Sequence, residues 1–143
     1  MSVEPGQYII RDTLNHKPVG RFIVEDRSLL PKRVLSLPPD GEVPKWQIEK
    51  SSNELYKLRS RGGTAAVIED RLFATLMDDI GADHSEWLLI PHPEHGINVF
   101  NIVAPETGYG WAVNEDDMSQ IEVAPMLPNA TINLFEVIKV QED

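Results

Sequence analysis

The stretch Trp46-Gln47-Ile48-Glu49-Lys50 opens with a bulky aromatic residue and then alternates polar and apolar residues, as a β-strand with one buried face does. The same opening recurs at Trp87-Leu88-Leu89 and at Phe135-Glu136-Val137, after 41 and 48 residues. Self-similarity at a period of roughly 20–50 residues indicates a fold built from repeated units.

Two further markers recur in the same order within each repeat. An aromatic residue lies early in each unit, at Tyr8, Tyr56 and Phe100. An acidic pair follows a glycine-containing stretch in each unit, at Glu25-Asp26, Glu69-Asp70 and Glu115-Asp116. Because three markers recur in phase, they predict three structural units of similar length.

Short runs of β-branched, aromatic and aliphatic residues, broken by glycine, proline, asparagine and aspartate, predict twelve strands. These strands cover residues 7–11, 19–24, 33–37, 46–50, 55–59, 64–68, 72–76, 87–91, 97–103, 110–113, 120–124 and 132–140. Segment 71–80 keeps a helical alternative, because Leu72, Leu76 and Ile80 also have helical spacing.

Twelve strands in three four-strand units describe an all-β fold, the β-trefoil, with pseudo-threefold symmetry. Six strands close a barrel and six hairpin strands cover one end, which removes exposed strand edges. We expect residues 1–143 to form this single domain. Trp46, Trp87 and Phe135 should fill the barrel, with the three early aromatic residues nearby.

Composition excludes several classes of protein. The chain has no cysteine, which excludes disulfides, thiolate zinc sites and cysteine nucleophiles. Its net charge of −10 argues against nucleic-acid binding, and it contains no apolar run long enough for a membrane helix. The N-terminus lacks the pattern of a signal peptide. We therefore expect a cytoplasmic monomer that binds no cofactor.

The segment Glu25-Asp26-Arg27-Ser28-Leu29-Leu30-Pro31-Lys32 joins the second and third predicted strands. It lacks the glycine or asparagine of a tight hairpin turn, and it places a long cation, Arg27, beside the small Ser28. This pattern predicts a presented loop whose Arg27 enters the carboxylate-bearing pocket of a trypsin-like serine protease, with Arg27–Ser28 as the reactive bond. The residues predicted to face the protease are Glu25, Asp26, Arg27, Ser28, Leu29, Leu30 and Pro31.

The predicted loop must be stiff if it is to inhibit. Pro31 fixes its own φ and biases Leu30 toward an extended backbone, and we expect Leu29 or Leu30 to pin the loop to the body of the protein. The alternative is that Arg27 is a solvated turn residue. The related stretch Glu69-Asp70-Arg71 lacks the additional segment, so its loop should be too short to project.

Other segments compete for the same role. Lys32-Arg33 lies at the start of a strand, where a protease has worse access, and Arg59-Ser60-Arg61-Gly62-Gly63 reads as a floppy hairpin loop that suits a substrate better than an inhibitor. A second presented loop, with Met126, Leu127 and Pro128, could suit a chymotrypsin-like pocket. The alternative, which we favour, is a stiffened connection before the last strand.

At this point the residues indicate a family. The segments that carry the resemblance are Tyr8-Ile9-Ile10-Arg11, Gly20-Arg21-Phe22, residues 25–32, Trp46, Gly110-Trp111 and the last strand. The chain resembles the mushroom β-trefoil protease inhibitors of the mycospin family, which are related to the mycocypins, inhibitors of cysteine proteases. The resemblance implies that the loop between strands two and three is reactive, with Arg27 as its specificity residue.

The chain also departs from relatives within that group. A related serine protease inhibitor has a basic residue in the loop before the last strand, where this chain has Leu127. Members that block asparagine-specific proteases carry an asparagine in the hairpin after the fifth strand, where this chain has Ser60-Arg61. The first departure weakens the second loop as a trypsin site and favours Arg27, and the second argues against inhibition of asparagine-specific proteases. The family suggests a defensive role against animals or microbes that eat the fungus.

Two other functions remain open. A sugar-binding module is one, but the Gln-x-Trp repeat of ricin-type lectins is missing, since Trp46-Gln47 has the opposite order. A cysteine protease inhibitor of the mycocypin type, acting through Asn15 to Pro18, is the other. We expect no enzyme, because no nucleophile or phosphate-binding motif is present, and no metal, because His92 and His95 lack an obvious third ligand.

Overall fold

The computed structural model describes residues 3–22, 25, 27–41, 43–52, 54–76, 85–116 and 118–140. Within these residues the chain forms twelve β-strands and one turn of 3₁₀ helix at Thr131–Asn133. The strands are β1 Gly6–Asp12, β2 Val19–Arg21, β3 Lys32–Ser36, β4 Trp46–Lys50, β5 Tyr56–Ser60, β6 Gly63–Ile68, β7 Arg71–Thr75, β8 Leu88–Pro91, β9 Val99–Val103, β10 Gly110–Ala112, β11 Glu122–Ala124 and β12 Phe135–Lys139.

Each predicted strand has a counterpart in the structure. The helical alternative for 71–80 is wrong over Arg71–Thr75, which is β7, and residues 77–80 lie outside the described part of the chain. The predicted strand 132–140 began too early, because Thr131–Asn133 turns before β12 starts. No helix in the described residues is long and apolar enough to cross a membrane.

Six strands pair in a closed antiparallel ring. β1 pairs with β4 and β12, β4 pairs with β5, and β9 pairs with β8 and β12. The ring closes between β5 and the residue before β8, where Tyr56 and Trp87 exchange both backbone hydrogen bonds at 2.9 Å. The other six strands form the hairpins β2–β3, β6–β7 and β10–β11. These hairpins contact one another through β3–β7, β7–β11 and the bridge between Leu35 and Gln120.

The aromatic markers of the sequence lie opposite one another across the first and last strands of each unit. The paired residues are Tyr8 with Trp46, Tyr56 with Trp87, and Phe100 with Phe135. Trp46, Trp87 and Phe135 have no exposed surface, and the three partners are also buried. The prediction that these six residues form the core is therefore confirmed.

Trp111 of β10 lies among the three fully buried aromatic rings. Its ring centroid is 5.9 Å from that of Trp46, 5.6 Å from that of Trp87 and 5.9 Å from that of Phe135. The contacts with Trp87 and Phe135 are edge-to-face, the arrangement that aromatic quadrupoles favour. One ring from each unit thus packs on a shared indole.

A hydrogen bond from each buried tryptophan of the first two units fixes its orientation. The indole Nε1 of Trp46 donates to the carbonyl of Val19 at 2.8 Å, and that of Trp87 donates to the carbonyl of Ala65 at 2.9 Å. The corresponding carbonyl of the third unit belongs to Trp111, 46 residues after Ala65. Phenylalanine has no donor at position 135, and Asn133 Nδ2 donates to that carbonyl instead, at 3.0 Å.

Candidate functional site

The loop between β2 and β3 exposes its central residues. Arg27, Ser28, Leu29 and Leu30 are all exposed, whereas Pro31 is half-buried. Among the residues that the structure describes, none forms a hydrogen bond or an ion pair with the Arg27 side chain. Asp26, also predicted to face a protease, lies outside the described residues. The guanidinium of Arg27 is therefore presented to solvent.

Ser28 ties the C-terminal side of the loop to a strand. Its Oγ accepts a hydrogen bond from the backbone N–H of Leu30 and another from Lys32 Nζ, both at 3.3 Å. Lys32 begins β3 and is only 5% exposed. Since a buried side chain has few alternative positions, this contact fixes the residue that follows the Arg27–Ser28 bond.

The expectation that Leu29 or Leu30 pins the loop is wrong. These side chains are 62% and 63% exposed, so neither is buried against the body of the protein. Polar contacts replace the expected apolar anchor. The two leucines instead form an exposed apolar surface directly after the candidate reactive bond.

Glu25 ties the N-terminal side of the loop to the protein body. Arg21 Nη2 lies 2.6 Å from its Oε1, and Arg21 Nε donates to Oε2 at 3.1 Å, a two-point pairing of guanidinium and carboxylate. Arg61 Nη2 lies 3.2 Å from the same Oε1. The side chains of Arg21 and Glu25 are only 7% and 16% exposed, so the pair is shielded from solvent.

Arg21 also connects the loop to the turn between β5 and β6. Its Nη1 donates to the carbonyls of Ser60, at 2.9 Å, and Arg61, at 3.1 Å. In the reverse direction, Arg61 Nη2 donates a hydrogen bond to the carbonyl of Phe22 at 2.9 Å. This connecting position of Arg21 was not among the sequence-based predictions. The available signal was that Arg21 has the same strand phase as the buried Val19, an unusual position for a cation.

The turn between β5 and β6 is tight, so the expectation of a floppy loop is wrong. Ser60 pairs with Gly63, and the two residues between them have φ angles of 48° at Arg61 and 81° at Gly62, as a two-residue type I′ turn requires. A Cβ at Gly63 would lie 2.9 Å from the Cβ of Ala74. Gly62 therefore provides the positive φ that the turn requires, and Gly63 allows close packing against Ala74.

Arg33 and Arg71 are exposed like Arg27, but both lie in paired strands rather than in a long loop. Glu69 and Asp70 both have positive φ in a tight turn, and Arg71 is already paired with Ile68 in the β6–β7 ladder. Lys32 and Arg33 both belong to β3, and Lys32 is buried. The start of β3 at Lys32 confirms that Lys32-Arg33 opens a strand, and which of these cations a protease contacts stays a prediction.

The loop between β11 and β12 is braced from beneath and carries an exposed apolar tip. Leu127 is 73% exposed, Pro128 is exposed and Met126 is half-buried. The backbone N–H of Leu127 donates to Asn133 Oδ1 at 3.3 Å, and Asn101 Nδ2 donates to the carbonyl of Pro128 at 3.1 Å. Both asparagines are buried. The stiffened connection and the presented loop are thus both compatible with this segment.

His92 forms part of the same polar network. Its Nε2 contacts Asn101 Oδ1, and its Nδ1 lies 2.9 Å from Glu94 Oε1. A backbone hydrogen bond and the contact with His92 lower the pKa of Glu94. Among the described residues no group of three or more histidine, aspartate and glutamate side chains could hold a metal ion.

The segment from Asn15 to Pro18 folds over one buried carboxylate. Asp12 accepts hydrogen bonds from the backbone N–H groups of Asn15 and Lys17, and it is 1% exposed. Asn15 and His16 are exposed at the tip. This turn is compact, and its predicted contact with cysteine proteases stays a prediction.

Comparison with known proteins identifies the family of the chain. The model of the peptidase inhibitor I66 family matches residues 1–136. A serine protease inhibitor from Lentinula edodes is 36% identical to this chain over 148 residues, an alignment that covers 98% of this chain and 100% of that protein.

One solved structure agrees with this grouping, and a more distant one shares only the fold. A proteinase inhibitor from Coprinopsis cinerea matches with a TM-score of 0.90 and 35% identity over 97% of this chain and 100% of its own. A ricin B-like lectin from Macrolepiota procera, solved with lactose, matches with a TM-score of 0.72 but only 18% identity, over 98% of this chain and 100% of its own. The second match shows a shared β-trefoil-like fold alone.

Proposed function

The chain belongs to the peptidase inhibitor I66 family, and we propose that within this family it inhibits trypsin-like serine proteases by inserting Arg27 into their specificity pocket. Members of such a family are inhibitors rather than enzymes, and the similar proteins from Lentinula edodes and Coprinopsis cinerea carry inhibitor names. The reactive bond in this proposal is Arg27–Ser28.

One observation carries the proposal: the exposed Arg27 has no hydrogen-bond or ion-pair partner among the described residues, and it lies between two anchored residues. Glu25 is fixed by Arg21 on one side of the Arg27–Ser28 bond, and Ser28 is fixed by Lys32 on the other. A loop that is held in its bound shape before binding loses little conformational entropy when the protease closes on it. Arg27 keeps its full donor capacity for the partner, since no described residue uses it.

The chemistry of a trypsin-like pocket fits arginine. A carboxylate at the base of a deep apolar slot pairs with the planar guanidinium, and the methylene stem fills the walls. The exposed Leu29 and Leu30 would lie against the far side of the cleft, where burying each leucine contributes roughly 1.5–3 kcal/mol before ordering costs. Asp26 is assigned to the same contact surface from its position in the sequence.

The proposal is tested by titrating trypsin with the protein and with Arg27→Ala. Removal of a buried, charge-paired anchor costs about 2–5 kcal/mol, so the inhibition constant should rise about 30-fold to 4,000-fold. Arg71→Ala is the matched control, because Arg71 ends the same Glu-Asp-Arg sequence but lies in β7. Equal inhibition by wild type and Arg27→Ala would refute the site.

The same titration separates the other classes of target. Papain inhibition that survives in Arg27→Ala would support a cysteine protease site around residues 15–18. Binding of sugars on a glycan array, with no protease inhibition, would favour a lectin. We also propose that the protein acts as a cytoplasmic monomer, which light scattering and cell fractionation would check.

We infer that the twelve strands form a β-trefoil with pseudo-threefold symmetry. Support comes from the closed ring of six strands, the three hairpins that contact one another, and the three aromatic pairs in equivalent positions. The 46-residue step from Val19 to Ala65 and from Ala65 to Trp111 fits this symmetry, because all three carbonyls accept a side-chain hydrogen bond.

A second candidate function concerns the β11–β12 loop. Leu127 is highly exposed on a backbone that the buried Asn133 and Asn101 hold in place, and an apolar residue suits a chymotrypsin-like pocket. Leu127→Ala should weaken inhibition of chymotrypsin and leave inhibition of trypsin unchanged. If wild type does not inhibit chymotrypsin, the segment is a stiffened connection only.

A further inference from the structure

We propose that Arg21, Glu25 and the β5–β6 turn form a clamp that decides whether the Arg27–Ser28 bond is resealed or lost after a protease attacks it. This inference rests on the proposed function. The clamp comprises Arg21, Glu25, the carbonyls of Ser60 and Arg61, and the Arg61 side chain. These residues position the loop; none of them has to touch the protease.

The reaction itself shows why anchors on both sides of the bond matter. The serine oxygen of the protease forms an ester with the Arg27 carbonyl carbon, the bond from that carbon to the Ser28 nitrogen breaks, and this nitrogen takes up the proton that the serine lost. Resealing is the reverse: the Ser28 amine attacks the ester, and the serine oxygen leaves and regains its proton. Water competes with the amine for the ester, so the outcome depends on how near the amine stays.

Two independent anchors keep the cut ends together. The Ser28 side is held through Lys32, which belongs to β3. The Arg27 side is held through Glu25, two residues earlier, by its two-point pairing with Arg21. Neither anchor passes through the bond that breaks, so both persist in the acyl-enzyme. A reacting amine held in this way has an effective concentration far above that of a free amine.

The position of the Arg27-side anchor depends on the β5–β6 turn. Every donor-bearing nitrogen of Arg21 is used, because Nε and Nη2 bind Glu25 while Nη1 binds the carbonyls of Ser60 and Arg61. The turn is rigid, since Ser60 and Gly63 are paired and only two residues lie between them. Because the arginine is buried, its release would leave a buried charge uncompensated.

The Arg61 side chain adds contacts that run from the turn to the β2–β3 loop. Its Nη2 reaches both the Phe22 carbonyl and Glu25 Oε1, at 2.9 and 3.2 Å. The turn therefore accepts hydrogen bonds from β2 and donates one to the backbone that follows β2. The β5–β6 hairpin, which the sequence predicted to be a floppy, substrate-like loop, thus supports the neighbouring β2–β3 loop.

The test measures the ratio of intact to cleaved inhibitor at equilibrium with a catalytic amount of trypsin, approached from both directions. Wild type should reach a mixture that contains both forms. Glu25→Gln keeps the shape of the side chain but removes its charge, and we expect the ratio to shift at least tenfold toward the cleaved form. Trypsin activity should then recover with time in the presence of the variant.

Glu49→Gln is the matched control, because Glu49 of β4 also pairs with an arginine, Arg59 of β5, at 3.1 Å, and within the described part of the chain it forms no hydrogen bond or ion pair with the β2–β3 loop. Its ratio should equal that of wild type. Arg61→Ala, which removes a half-exposed side chain and leaves the Arg21–Glu25 pair, should shift the ratio in the same direction by about threefold.

The outcomes separate the clamp from the proposed function. If wild type inhibits trypsin and the ratios of Glu25→Gln and Arg61→Ala equal that of wild type, the clamp is refuted while the reactive loop stands. An equal shift in Glu49→Gln would also refute it, because the effect would then be a general one of lost charge. If wild type does not inhibit trypsin at all, the proposed function fails and the clamp fails with it.

Discussion

Replacing Asn133 by alanine should destabilise the fold through one buried carbonyl. Asn133 is 2% exposed, and its Nδ2 is the donor to the Trp111 carbonyl in the position that an indole occupies in the other two units. After Asn133→Ala that carbonyl is left without its partner inside the core. An unsatisfied buried acceptor costs about 1–3 kcal/mol.

The remaining contact of the side chain adds a smaller loss. Asn133 Oδ1 accepts from the N–H of Leu127 at 3.3 Å, in a loop where water can replace part of that bond. The total should be about 2–3 kcal/mol. For a chain of this length, roughly 3–4 °C of melting temperature corresponds to 1 kcal/mol, so the midpoint should fall by about 6–12 °C.

Urea unfolding followed by tryptophan fluorescence gives the free energy of unfolding directly. The slope of the free energy of unfolding against urea concentration should be the same in wild type and Asn133→Ala, because the native state stays compact. Asn129→Ala is the control, since Asn129 is exposed and contacts only His95 at 3.3 Å among the hydrogen bonds of the described residues. A loss below about 0.5 kcal/mol in Asn133→Ala would refute the idea that this amide substitutes for an indole.

Two further predictions concern charge and specificity. Burial raises the pKa of Glu136, but the hydrogen bonds from Arg11 and His16 outweigh it, so its pKa lies below the ordinary 4.5. A lowered folded pKa contributes stability above pH 4.5 that is lost as pH falls through the folded value. Glu136→Gln should therefore be less stable than wild type at pH 7 by no more than about 1 kcal/mol, and the gap should close toward pH 3; a constant gap in acid unfolding curves would contradict this. Arg27→Leu should lose trypsin and gain chymotrypsin inhibition with an unchanged melting temperature, and an inhibitor that keeps its trypsin preference would place the specificity residue elsewhere.

Periodicity made most of the fold predictable. Aromatic residues that recur at similar steps identified the three units, because one large ring from each must fill the same barrel. The start of β12 was misplaced, since Ile132 looks like a strand residue but lies in a 3₁₀ turn. The requirement there is hydrogen bonding of Asn133 to a distant carbonyl, which no local pattern reveals.

The position of the candidate loop could be predicted from the sequence, but the contacts that anchor it could not. A long insertion between two strands, with a cation beside a small residue, can be found from the sequence alone. The support of this loop depends on Arg21 and Arg61, which are 40 positions apart in the sequence and meet only in the folded chain, through side-chain hydrogen bonds to backbone carbonyls. Leu29 and Leu30 were misassigned because apolar side chains usually anchor loops, whereas here buried charged groups do so.

The grouping of indole rings around Trp111 has a practical consequence for spectroscopy. All three tryptophans of the chain are fully buried, and Trp46 and Trp87 both contact Trp111. Their emission should therefore be blue-shifted, and all three should shift together when the barrel unfolds. The loops that face solvent contain none of them. Substitutions in those loops therefore leave the tryptophans unchanged, and the emission maximum still reports whether the core of each variant is folded.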